Sequence, residues 1–229
     1  MCFSATASFA AAGALTPVGL VAVSMARRRD TNRWWPLAIT PLLFAVQQSL
    51  EGLVWLGIND PAPRLALRLI ALAYLGFAFG LWPIWMPWAS LRLAGERATR
   101  WQRRALRVLL TLGCLLGALL WLPLLLNPQL INPVVNRGSI DYQVLVPAFA
   151  PVGHRLVTLI YALIVCVPLL LTPLRRLHWL AGALALAFTM AQLAFLYAFS
   201  SVWCYFSALL SLLVIWVLQE EAAPEHRAN

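Results

Sequence analysis

Residues 97–126, "RATRWQRRALRVLLTLGCLLGALLWLPLLL", decide the fold. The stretch opens with Arg97, Arg100, Arg103, Arg104 and Arg107, and from Val108 to Leu126 no charged residue follows. A helix rises about 1.5 Å per residue, so such a run crosses a hydrocarbon core of about 30 Å. It is apolar all round, whereas a helix on a water-soluble domain carries a polar face. The arginines in front of it match the cytoplasmic border of a membrane span, where basic residues collect.

The rest of the chain repeats this theme. Apolar residues make up 62% of 229, charged residues 11%, and mean hydropathy is +0.79, values that belong in a bilayer rather than a soluble core. Seven spans are expected, at Ala5–Met25, Trp35–Leu56, Leu65–Met86, Ala105–Leu126, Leu156–Pro173, Trp179–Phe199 and Val202–Leu218. The predicted fold is therefore all-α, a seven-helix membrane bundle forming a single domain over 1–229. Residues 127–154 form an outer loop expected to act as a lid, and 219–229 a short cytoplasmic tail.

The net charge of +9 invites a nucleic-acid reading, but the placement of the charge decides against it. Thirteen of the seventeen arginines fall in the first, third and fifth loops and the tail, against Arg64, Arg68, Arg137 and Arg155 on the other side. That asymmetry predicts an N-terminus outside, a C-terminus in the cytoplasm and a bacterial inner-membrane setting, with membrane lipids as partners and no nucleic acid. The first span lacks a basic residue before its apolar run, which argues against a cleaved signal peptide. Lysine is absent, so Schiff-base chemistry and a P-loop lysine are excluded. Histidine is limited to His154, His178 and His226, with only His154 on the outer side, too few for a bis-histidine haem or a multi-histidine zinc site within one chain.

Against this apolar background Glu51 stands out as the only carboxylate inside a span. An ionisable group near the bilayer centre costs roughly 2.5 to 3.5 kcal/mol, so such groups face the bundle interior with partners. Gln47, Glu51 and Trp55 repeat every four residues and share a helix face with Gly52 beside them for close helix approach, and Gln48 adds a second amide. Counting from the ends of the second and third spans puts Glu51 and Arg68 roughly 10 to 12 Å below the outer surface, which predicts an ion pair. Gln192 reaches the same layer, and Ser4, Ser8, Ser200, Cys204, Ser207 and Ser211 add small polar groups. Within the outer loop, "VVNRGSIDYQV" alternates around an Arg-Gly turn and predicts a short hairpin. The spacings "GFAFG" at 76–80 and "GCLLG" at 113–117 read as helix-packing motifs.

The segments "MCFSATASF", "QQSLEGLVWLG" and "SVWCYFSALLS" together resemble an uncharacterised family of bacterial multi-spanning membrane proteins with an N-terminal Met-Cys-Phe-Ser-Ala signature. The resemblance implies signature positions at Cys2, Ser4, Gln48, Glu51, Gly52, Trp55, Trp203 and Cys204. It implies no activity.

Cys2 and Cys204 both fall at the outer face, where an oxidising compartment permits a disulfide. Removal of Met1 would give Cys2 a free amine beside its thiol, a pair suited to nucleophilic chemistry or to chelating a soft metal. The leading expectation is a redox or metal-dependent enzyme acting on a lipophilic or small periplasmic substrate. Glu51, Cys2 and Cys204 would be its catalytic residues and would also ligate a metal, copper or iron being suited to thiolate and carboxylate. Gln47, Gln48, Trp55, Arg68, His154, Gln192 and Trp203 would bind substrate. Two alternatives stand beside it: a proton- or cation-coupled carrier or small-molecule binding protein using Glu51, and a scaffold with a structural Cys2–Cys204 disulfide, alone or as an oligomer.

Overall fold

The computed structural model describes residues 4–29, 32–58, 64–144, 154–194 and 198–219, without the side chains of 154 and 155. Asp60, which the sequence offers as a cap for the third span, lies outside the described residues. The described chain is helical apart from loops and one hairpin. Its helices are α1 (Ala5–Arg27), α2 (Trp35–Ile58), α3 (Arg64–Leu75), α4 (Trp82–Ala94), α5 (Arg100–Leu126), α6 (His154–Leu170), α7 (Arg175–Ala194), α8 (Phe199–Leu210) and α9 (Val214–Leu218). A π-helical segment, Gly76–Leu81, joins α3 to α4, and a 3-10 turn, Ser211–Leu213, joins α8 to α9.

Local chemistry sets the helix starts. The Ser4 hydroxyl accepts from the Ala7 amide at 3.2 Å to cap α1. Thr99 and Gln102 form a reciprocal capping box at α5, so the helix begins among the arginines and runs into the apolar stretch that opened the sequence.

Six helices are long and apolar enough to cross a membrane: Ala5–Arg27, Asn32–Ile58, Arg64–Arg97, Arg100–Leu126, Arg175–Ala194 and Phe199–Leu218. The expected fifth span is shorter, with an apolar part of Leu156–Leu170, because the chain turns at Leu171 and Thr172 rather than continuing to Pro173. By length alone the count among the described residues is therefore six, against the seven expected. The helices are apolar on the outside as well as within: Leu20, Leu65, Leu115, Leu119 and Leu186 are all more than half exposed. Water does not tolerate so continuous an apolar surface, but lipid does.

Small residues bring the helices together. A side chain at Gly52 would come within 2.7 Å of the Phe9 ring, so α1 closes on α2 only because glycine is there. A Cβ on Gly113 would sit 2.0 Å from the Pro83 carbonyl oxygen, and one on Gly117 would sit 3.1 Å from that of Gly80. The two glycine-spaced motifs thus meet across α5 and the π-helical segment, as their packing reading expects.

The two ends of the bundle differ. At one end, Arg29 donates to the Leu218 carbonyl oxygen and Arg176 to that of Trp216, tying the first loop and the start of α7 to the end of α9. The guanidinium carbons of Arg29 and Arg176 lie 4.7 Å and 4.8 Å from the ring centres of Trp34 and Trp216. At the other end, strands β1 (Val134–Asn136) and β2 (Ser139–Asp141) form the expected hairpin, with Val135 opposite Ile140. Its turn residues Arg137 and Gly138 have φ of 49° and 77°, the left-handed pair that a two-residue hairpin turn requires. The amide of Asn132 continues the pairing to the Tyr142 carbonyl oxygen at 3.1 Å, and Ile131, Ile140 and Tyr142 are buried against α3 and α8.

Candidate functional site

The site grows from one face of α2. Val46, Leu53 and Leu56 point outward, while Gln47, Gln48, Glu51, Val54 and Trp55 are buried. A helix repeats every 3.6 residues, so an apolar outer stripe leaves the amides and the acid no direction but inward. Glu51 is 1% exposed and both glutamines are fully buried.

Neighbouring helices supply the partners. Ser201 of α8 donates its hydroxyl to Glu51 Oε1. Gln48 and Tyr74 are the next side chains around the same carboxyl group. The indole of Trp82, at the start of α4, donates to Gln47 Oε1 at 2.8 Å. Cys204, one turn beyond Ser201, lies against Tyr74 and Gln47. Tyr74 donates to the Ser200 carbonyl oxygen at 3.3 Å, and its ring stacks on that of Tyr142 at 4.8 Å with 9° between planes. The hairpin end of the molecule therefore closes over this group through Tyr142. Burial holds the Tyr142 phenol well above the usual tyrosine range, with Glu51 and Cys204 acting in the same direction.

The polar groups are gathered but not all satisfied. Gln48 Nε2 and Oε1, Gln47 Nε2, the indole nitrogens of Trp55 and Trp203, the Tyr142 hydroxyl and the Ser8 hydroxyl are buried without a hydrogen-bond partner. Each such group costs about 1 to 3 kcal/mol when desolvated and unpaired. Gln48 and Tyr142 are the ones near the acid, and uncommitted groups there are what a site prepared for a polar visitor looks like.

Two cavities flank α8. The first is lined by Leu37, Leu93, Leu169 and Val214 among others and runs toward the arginine end, with an empty volume of about 690 Å³. The second, of about 720 Å³, is lined by Val144, Thr158, Phe199 and Ser200 toward the hairpin end. Both share Tyr161, Trp203 and Cys204 as a dividing wall. Tyr161 is held there by donating to the Ala78 carbonyl oxygen in the π-helical segment, and the Tyr161 and Trp203 rings meet edge to face at 5.3 Å. Among the described residues no charged side chain lines either cavity.

The expected ion pair between Glu51 and Arg68 does not form. Arg68 sits half-buried on α3 between the exposed Leu65 and Leu69, and the inward stripe of that helix is Ala71, Leu72, Tyr74 and Leu75. Neither depth nor face was matched: Leu67 packs at the level of Gly57, about 9 Å along α2 from Glu51, and Tyr74 is the α3 side chain beside the acid. Gln192 is half-buried on α7 and forms no hydrogen bond with the Glu51 group among the described residues. Trp55 and Trp203 are buried, at 8% and 3% exposure. Cys2 and the His154 side chain lie outside the described residues, so the Cys2–Cys204 disulfide and the Cys2 ligand do as well. Among the described residues no three His, Cys, Asp or Glu side chains converge as a metal site.

Sequence reasoning missed Ser201, Tyr74 and Tyr142. Ser201, Cys204 and Ala208 repeat at three and four residues and are all buried, whereas Ser200 and Ser207 are half-buried. That spacing was the available signal for Ser201. A lone tyrosine in the apolar third span was the signal for Tyr74.

The chain belongs to the family of unknown function DUF6629. The match covers residues 1–229. No curated protein and no solved structure matches the chain. Membership in DUF6629 agrees with an uncharacterised family and leaves the chemistry of the site to be read from its geometry.

Proposed function

We propose that this chain is a seven-span inner-membrane protein, N-terminus outside, that receives a small lipophilic molecule within the bundle and handles a proton at Glu51. The observation that carries the reading is a buried acid held one turn of α8 from two apolar cavities. Ser201 and Cys204 lie one turn apart on α8; the first bonds Glu51 and the second lines both cavities. Unpaired amide and indole groups around the acid supply hydrogen bonds for a polar head, and the cavities supply room for an apolar body.

Chain direction supports the crossing count. The end of α5 adjoins the hairpin, and the start of α7 bonds the arginine end through Arg176, so α6 has to traverse the thickness between them. The thirteen arginines of the arginine-end loops and the tail favour that end as cytoplasmic.

In this reading Glu51 accepts or releases a proton while Ser201 keeps it oriented, and Tyr74 and Tyr142 cover it from the hairpin side.

The test is to purify the protein in nanodiscs, extract bound small molecules and identify them by mass spectrometry, comparing the native chain with Glu51→Gln. A stoichiometric lipophile in the native protein that falls at least tenfold in the variant supports the reading. Equal retention in both removes Glu51 from it, and an empty native protein removes the lipophile.

A further inference from the structure

Trp203 occupies an unusual position. It is 3% exposed, forms part of the wall of both cavities, and packs against Tyr161, Phe188 and Phe199 with ring centres 5.3 Å away in each case. Its indole N–H nevertheless has no acceptor. An indole is a donor only, and buried tryptophans normally find a partner for it. Aromatic packing alone would be served as well by phenylalanine, which carries no such cost.

The chambers on either side are apolar, and among the described residues no acidic, basic or histidine side chain lines either one. A charged head group would therefore have no counter-ion along these walls, and its desolvation would go uncompensated. What the shared wall does hold is Trp203, whose buried indole N–H is an unsatisfied donor, and Cys204 next to it in sequence. In the first cavity the centre of a water molecule can range over about 50 Å³, and in the second over about 130 Å³. Neither space alone is large, but the two lie end to end across a wall of side chains rather than backbone.

We infer that the two cavities are halves of one binding site for an uncharged long-chain lipophile bearing a carbonyl oxygen, and that the Trp203 indole donates to that oxygen where the chambers meet. The inference deepens the reading of the bundle as a receiver of lipophilic molecules and depends on it. The chain of the ligand extends toward Leu93 and Val214 at the arginine end, and its shorter part lies toward Val144 and Ser200. Specificity follows from the asymmetry of the wall: an alkane satisfies the apolar lining but leaves the indole N–H unpaired, whereas a ketone of equal length satisfies both.

The experiment uses tritiated pentadecanone and tritiated pentadecane, partitioned between nanodiscs carrying the full chain and empty nanodiscs of the same lipid. The native protein is expected to hold the ketone roughly fivefold to tenfold more tightly than the alkane, the worth of one buried hydrogen bond. Trp203→Phe keeps the ring and removes the donor, so it should abolish the preference while alkane binding persists. Thermal unfolding of the variant shows that the bundle is intact. Equal binding of ketone and alkane by the native protein overturns the inference, as does a loss of both by the same factor in Trp203→Phe. If neither probe binds above the empty discs, the lipophile-receiving function itself fails along with it.

Discussion

At the arginine end of the bundle, Arg29 and Arg176 each reach a backbone carbonyl of the last helix and each lie over a tryptophan ring. At the hairpin end, Gln48 has neither of its amide atoms paired, and the indoles of Trp55 and Trp203 point at no acceptor. The first end spends its polar groups on holding α9 in place. The second keeps its polar groups uncommitted around Glu51. Since an unpaired buried group weakens the fold, the difference separates residues that serve stability from residues that serve a ligand.

The comparison can be broken in three places. The largest effect is expected from Ser201→Ala, which leaves the Glu51 carboxyl without its donor in a fully buried setting; unfolding in detergent should show a loss of about 2 to 3 kcal/mol. Next comes Arg29→Met, which removes a charged donor to the Leu218 carbonyl oxygen and the contact over Trp34. It should cost about 1 to 2 kcal/mol in the same assay and leave retention of any bound lipophile unchanged. The smallest change in stability belongs to Gln48→Leu: it replaces two unpaired atoms by carbon, so the unfolding midpoint should hold or rise slightly, while lipophile retention drops. A large destabilisation by Gln48→Leu would mean that the amide is structural and that the contrast between the ends is mistaken.

Much of this layout was legible beforehand because apolar runs and charge asymmetry are properties of composition along the chain. Val108–Leu126 reads as a span without any knowledge of its neighbours, and the Arg137-Gly138 turn announces its hairpin through backbone preference alone. Glu51 was legible for the same reason, since a carboxylate in an apolar helix has only the interior to face. Its partner was not. Arg68 and Tyr74 are both on α3, and counting residues from the span ends missed both the level of Glu51 and the stripe that turns inward, which only the packing of α3 on α2 and α8 settles. Ser200 and Ser201 differ by about 100° around the helix axis, and the small-residue pattern of α8 favoured the wrong one. The wall shared by two cavities joins α6 to α8 and has no trace in a single segment.

The π-helical segment Gly76–Leu81 has a geometric consequence for the acid's surroundings. Tyr74 and Trp82 are eight positions apart, and in an uninterrupted α-helix of about 100° per residue they would diverge by about 80°. One additional residue in the wide turn rewinds that offset to about 20° the other way. Both aromatic side chains can then look toward α2, one at Glu51 and the other at Gln47. Deleting a single residue from this segment would straighten the helix and swing one of the two out of the pocket, a change of phase that no substitution at either aromatic position could imitate.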